Sequence, residues 1–403
     1  MVKLILILII GNMAIRYCIT ALFSLGLMSC SQERKEENGA PSVSLNQVVE
    51  NYAQIAYASY VDSLDAAKKM QSQIAAFLSS PTEQGLLAAR ESWINARLPY
   101  LQTEVYRFYD GPIDDEDGPE GLLNAWPMDE AYIDYVMGMP GAGIINDTQS
   151  YPEIRKALLI ELNEKDGEEN ISCGYHAIEF LLWGQDLRAD GPGNRSHTDY
   201  TTAANADRRK QFLSLTVSLL LENLQSLVDA WAPSKENYRA EFVQDNPARS
   251  IEKILSGMTL LSGFELAGER LLVAYESRAQ EDEHSCFSDT THNDAIYDIV
   301  GLINVWSGLY QRPDGSKIEG PGIQSLASAK DAQLAEKLHA ELISSLSTAK
   351  NIPRPFDQAI LAEEGSDARQ AILRLIEELE DVADGLVVIA DKIGVSVTRE
   401  PEP

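Results

Sequence analysis

A histidine and a glutamate three residues apart interrupt the most apolar run of this chain, GYHAIEFLLWGQD at 174–186. In a helix His176 and Glu179 would share one face and reach each other. Ala177, Ile178, Phe180, Leu181, Leu182 and Trp183 surround that face with apolar groups, and a helix apolar all round is a buried one. A desolvated carboxylate without a partner is costly, so Glu179 has one: His176 itself, an arginine, or a metal ion. On spacing alone, a satisfied hydrogen-bonded core pair is the commoner outcome. Metal chemistry has a precedent in the carboxylate-bridged iron sites of helical bundles, which use the order Glu-x-x-His. Zinc proteolysis has less support, because it takes two histidines from one helix and Phe180 stands where the second would fall.

A second cluster, QEDEHSCFSDTTHNDA at 280–295, brings His284 and His292 together with Glu281, Asp282, Glu283 and Asp289. Two of the chain's five histidines within nine residues is not background. The segment reads as a loop entering a helix near Asp294, where Ser288, Asp289 or Asn293 could serve as a cap. A third candidate, ARESWINARLPYLQTEVYRF, sets Arg97, Glu104 and Arg107 near one helical face among aromatics. There, ion pairing on a helix surface and a functional role carry equal weight.

The elements that must position these groups are helical almost throughout. Residues 45–80 follow an amphipathic rhythm through Val48, Tyr52, Ile55, Ala56, Tyr60 and Val61. Thr82 caps a second run that continues to Phe108, where Gly111-Pro112 follows. Further helical patterns cover roughly 208–231, 247–278, 294–310, 324–350 and 365–393, and alternating strand patterns are nearly absent. The expected fold is all-α, with long helices packed as bundles. Two long irregular stretches, 110–150 and 186–207, are rich in Gly, Pro and Asp. Stretches of that length in compact proteins are often functional. The second marks the expected boundary between an N-terminal bundle, 45–196, and a C-terminal bundle, 197–400. Glu104 in one half and Glu265 and Glu269 in the other are internal carboxylates on long helices.

The 403 residues carry 62 Asp and Glu against 33 Lys and Arg, a formal charge of −29. Such a surface repels nucleic acid and anionic headgroups, and no nucleic-acid partner is expected. Residues 1–29 have the anatomy of a signal peptide, with Arg16 before an apolar stretch and Met13 as the more natural start. The ending Leu27-Met28-Ser29-Cys30 resembles a bacterial lipobox, which implies cleavage before Cys30 and lipidation of its thiol. Residues 30–44 then read as a polar tether. The expected location is the cell envelope, lipid-anchored at the outer membrane on its periplasmic or surface face. With Cys18 removed and Cys30 lipidated, Cys173 and Cys286 remain of the four cysteines. In an exported chain they are either a disulfide or two buried free thiols.

Gly174, His176 and Glu179 carry the GxHxxE signature of the imelysin-like family, and the flanking segments resemble it as well. These are RLPYLQTEVYRFYDGPID, DLRADGPGNRSHTDY, SGFELAGERLLVAYES and EHSCFSDTTHND. The chain is similar, from about residue 45 onward, to the family's iron-regulated subgroup. That resemblance implies two helical bundles related by a pseudo-twofold, a site near their interface, export to the envelope and a role in iron uptake. It leads to a lipoprotein that binds a metal ion, iron foremost, or an iron-bearing ligand, and hands it to an envelope iron-transport partner. His176 and Glu179 would touch the cargo, with Glu283, His284, Asp289 and His292 closing one side and Arg97 and Glu104 the other. The family is classed nominally with metallopeptidases, which makes a zinc peptidase with Glu179 as base the alternative. A structural or adaptor lipoprotein is the second.

Overall fold

A computed structural model describes residues 43–188 and 190–401. The expected signal peptide, Cys30 and nearly all of the tether lie outside the described residues. The fold is all-α, with a single short hairpin, Leu309–Gln311 against Lys317–Glu319, among the described residues. Helix α1, Leu45–Ser79, opens with a capping box in which Ser44 and Gln47 satisfy each other's backbone. Its apolar face buries Val48, Tyr52, Ile55 and Ala56 against helices α2, Glu83–Leu101, and α4, Ala206–Trp231. Thr82 caps α2 as expected. That helix stops at Leu101 and not near Phe108, because Pro99 removes a donor from its last turn. A separate 3-10 turn, Glu104–Tyr106, follows.

Helix α3, Gly174–Trp183, is the HxxE helix, and all ten of its residues are buried. It packs on α2 and α4, and the Trp93 indole of α2 donates to its Tyr175 carbonyl at 2.9 Å. Its bounding glycines are required by geometry. Gly174 has φ +85° and lies so near the chain at Leu123 that a Cβ would stand 2.7 Å from that carbonyl oxygen. Gly184 ends the helix at φ +75°.

The pattern over 247–278 is one continuous rod of changing winding. Helix α5, Pro247–Thr259, passes into a π-helix, Leu260–Leu272, and then into Val273–Ser277. Helix α6, Thr291–Ser307, begins three residues before the expected start; α7, Ala332–Asn351, and α8, Asp367–Ile393, complete the long elements. Asp331 splits the expected 324–350 helix into two. The described residues form one compact unit, and one hydrophobic core runs from Val48 to Val395. The halves expected on either side of 196/197 therefore do not stand apart: α4, from the second, packs on α1 and α3, from the first. A smaller core lies among the π-helix, α6, α7 and α8, around Leu266, Ile299, Phe356 and Leu375. No helix among the described residues is long and apolar enough to cross a membrane.

Candidate functional site

Two imidazoles meet beneath the loop that enters α6. On α3, His176 Nδ1 lies 2.9 Å from Glu179 Oε2. On the loop, His284 Nδ1 lies 2.9 Å from Oδ2 of Asp294, in the first turn of α6. The two rings contact edge to face with centroids 4.6 Å apart. The arrangement is thus carboxylate, imidazole, imidazole, carboxylate. His176, Glu179, His284 and Asp294 are each no more than 2% exposed. The other oxygen of Glu179 accepts from the Ser288 amide at 2.9 Å and the Ser288 hydroxyl at 2.7 Å. Asp294 also accepts from Ser285 Oγ at 2.6 Å and from Arg97 Nη2 at 3.3 Å. Arg97 is held over the faces of Trp93, Tyr100 and Tyr175 and bonds Asn124. The Trp126 ring stands against His284, and its Nε1 donates to the Glu283 carbonyl at 3.0 Å.

Of the ring nitrogens in this chamber, one stands out as left over. Nε2 of His176 is buried and has no hydrogen-bond partner, a rare condition for an interior nitrogen. Burial, then the neighbouring His284 and Arg97, hold His176 well below the ordinary histidine pKa. Burial, then Arg270 and Arg97, do the same to His284. Both rings are neutral at physiological pH, which is the ligating form of histidine. Burial pushes Glu179 up to about 8 against the opposing pull of Ser288 and Arg97. An imidazole whose Nδ1 is held by a carboxylate while Nε2 stays free is the arrangement in which metal-binding histidines are usually oriented. The side chains therefore fit a metal through nitrogen, with Glu179 and Asp294 holding the rings. Both oxygens of Glu179, expected to touch a cargo, are engaged by His176 and Ser288. Among the described residues no three His, Cys, Asp or Glu side chains are gathered closely enough to hold an ion by themselves.

The remaining sequence candidates divide among other places. Arg97 belongs to the chamber. Glu104 does not: with Arg107 it joins an adjacent ion cluster. There Arg270 of the π-helix reaches Glu104 at 2.5 Å, Glu265 at 2.7 Å and Asp298 at 2.9 Å, and Arg107 reaches Glu104 at 2.8 Å. Burial opposes the charge on Glu104, yet Arg107 and Arg270 hold its pKa below the ordinary carboxylate value. The Glu283 and Asp289 side chains lie in a separate acidic pocket with Asp186 and Asp357, where Asp289 also feels Arg188. Burial, then Arg354, lowers His292 to about 4 against the opposing pull of Asp294. Cys173 and Cys286 are two buried free thiols and form no disulfide. Cys173 sits at the N-cap of α3 beside Ser172, and burial pushes it up to about 12.

Sequence reasoning missed Asp294 as a partner of His284, and it offered Ser288 only as one of three possible helix caps, whereas its hydroxyl donates to Glu179. It also missed Arg270 and Asp298. A signal was available for the two aspartates. Asp294 and Asp298 lie four residues apart in the apolar run DAIYDIVGLINVW, the same anomaly that drew attention to Glu179.

Comparison with known proteins gives the family and the fold. The family model described as imelysin matches residues 56–384. A relative, "Iron-regulated protein A" of Synechococcus elongatus, is 24% identical over 349 residues, covering 83% of this chain and 85% of its own length. A crystal structure described as an iron-regulated protein A precursor from Parabacteroides distasonis superposes with a TM-score of 0.67 at 18% identity, covering 87% of this chain and 95% of that one. That likeness establishes the shared fold. With the match spanning most of its length, the chain belongs to the imelysin family.

Proposed function

We propose that this chain is an exported, lipid-anchored protein of iron uptake that takes iron, as an ion or in a small iron-bearing ligand, at the imidazoles of His176 and His284. The observation that carries the reading is the unpartnered Nε2 of His176, facing a second imidazole that is held the same way. Two nitrogens are an incomplete shell for iron, so the cargo keeps oxygen ligands of its own. Its route in lies past the 283–290 loop, since Ser288 of that loop closes over Glu179. Export and anchoring rest on the signal-like leader and Cys30. A Cys30→Ser variant is expected to leave the membrane fraction for the soluble envelope fraction, and unchanged fractionation would refute the anchor.

A zinc peptidase is less well supported. Its base would be Glu179, and neither oxygen of Glu179 is free to activate water. A structural role has one observation in its favour, the near-complete burial of the cluster. Thermal melts of wild type and Glu179→Ala, with and without iron, separate that role from cargo binding. For a cargo site, iron raises the wild-type Tm by mass action and has no effect on the variant. For a purely structural cluster, iron does nothing, and Glu179→Ala costs about 1–3 kcal/mol for each buried polar partner it leaves unsatisfied.

A further inference from the structure

A second group of unmatched atoms stands one carboxylate away from the imidazoles. Asp294 faces His284 Nδ1 with Oδ2 at 2.9 Å and accepts from Arg97 Nη2 with Oδ1 at 3.3 Å. Arg97 in turn gathers three side chains. Its Nη1 donates to Oδ1 of Asn124, and its guanidinium carbon stands 5.6 and 5.1 Å from the ring centres of Tyr100 and Tyr175. Those two rings are 4.8 Å apart. All four residues are no more than 3% exposed. Yet Arg97 Nε, Asn124 Nδ2 and the hydroxyls of Tyr100 and Tyr175 are buried without a hydrogen-bond partner among the described residues. Burial holds both phenols well above the ordinary tyrosine pKa, so each keeps a proton to give. The two nitrogens can only donate. The group is therefore rich in donors and short of an acceptor, and buried donors left unmet are costly.

We infer that Arg97, Asn124, Tyr100 and Tyr175 receive a carboxylate-type oxyanion that enters with the iron and supplies it with oxygen. The inference rests on the imidazole reading above and names the chemistry of its cargo. A carboxylate offers about four acceptor sites and no hydrogen, whereas a water must also find acceptors for its own hydrogens. Charge makes the two guests depend on each other. Both imidazoles are neutral, so a cation on them alone would bury unbalanced charge, of which ionisation of Glu179 offsets one unit. The charge of Arg97 is already met by Asp294, so an anion alone would be unbalanced too. Entering together, each neutralises the other. The same chemistry can come from two sources, free carbonate or a carboxylate arm of an iron chelate.

Anaerobic titration of the purified chain with ferrous iron tests this in a buffer free of carbonate and carboxylate, in one with sodium bicarbonate and in one with sodium citrate. Wild type is expected to bind iron at least about tenfold more tightly in an anion buffer than in the anion-free one, as hydrogen bonds to a charged acceptor provide. A rise with bicarbonate identifies the free anion, and a rise only with citrate identifies a chelate arm. Tyr175→Phe should lose most of that rise. Its Tm without iron should stay level or increase, because the hydroxyl it gives up bonds nothing in the protein. Arg97→Lys keeps the charge but not the planar fork, and should lose the rise as well. Equal iron affinity of wild type in all the buffers would overturn the inference and leave the imidazole reading standing. A rise undiminished in Tyr175→Phe and Arg97→Lys would overturn it equally. Failure to bind iron in any buffer would overturn the imidazole reading itself, and this inference with it.

Discussion

At the scale of single residues the site turns on who holds the proton between His176 and Glu179. Burial raises the carboxyl to about 8 and depresses the imidazole, so near neutrality both groups are uncharged and each carries a proton; once the carboxyl ionises, Nδ1–H of His176 donates to it and Nε2 presents its lone pair. Glu179→Gln keeps the shape and removes the acid. It is expected to weaken iron binding about 10–100-fold, as loss of the group that orients a liganding imidazole does. His176→Ala should abolish binding. Titration of both variants with ferrous and ferric iron checks this, and equal binding by all three proteins would refute a role for the chamber. Ser288→Ala removes one of the two bonds that favour the charged form of Glu179. It should shift the carboxyl pKa further upward, measurable by NMR of a labelled glutamate.

At the scale of elements, two features carry unusual cost and are therefore informative. Gly174→Ala forces a Cβ onto a residue at φ +85° and to within 2.7 Å of the Leu123 carbonyl. The expected loss is more than about 1 kcal/mol, read as a lowered Tm, whereas Ala177→Gly would show only a helix-propensity and packing effect. The other feature is the π-helix. Its wider winding carries Arg270 inward, where its guanidinium joins Glu104 and Asp298, both fully buried. Arg270→Met should cost about 3–5 kcal/mol, because it leaves the buried Asp298 without its cation and Glu104 with Arg107 alone. Adding Glu104→Gln and Asp298→Asn should recover part of that loss. Denaturant melts of the single and triple variants decide it, and an undiminished Arg270→Met would refute the pairing. Pro99 and Asp331 had a humbler effect, each ending a helix where the hydrophobic rhythm alone ran on.

For the whole molecule the buried acids set a pH dependence of definite sign. Between the ordinary glutamate value of 4.5 and about 8, folded Glu179 keeps a proton that the unfolded chain has released. Stability therefore falls as pH rises through that window. Glu281 and Asp289, raised to about 7, act in the same direction. His176 and His284 act oppositely. The unfolded chain takes up their protons below 6.5 and the folded one does not, so stability is lost as pH falls beneath that value. The two effects offset below 6.5, and only the acids act above it. Tm should decline from pH 6.5 to 8.5, with the part above pH 7 reduced in Glu179→Gln. A flat profile in wild type would show that these carboxyls titrate normally.

Much of this was legible in the chain itself. Long runs at helical period, with Ser44 and Thr82 at their starts, determined an all-α fold because periodicity and capping are local. A histidine and a carboxylate in an apolar helix determined that GYHAIEFLLWGQD would be buried and that Glu179 would be partnered, because desolvated charge cannot stand alone. Which partner it took was a tertiary decision. His176 and Glu179 are three residues apart, but Ser288 is 109 residues from Glu179, and the Asp294–His284 pair faces them only because α6 packs behind α2. The grouping of Arg97 with Asp294, and of Glu104 with Arg270, was equally a matter of packing. One helical face held all of Arg97, Glu104 and Arg107 only while α2 was taken to run past Leu101. The two thiols that an exported chain could have joined are both buried and free. Sequence spacing determines which groups share a helix; only the packing of one helix on another decides which of them share a proton.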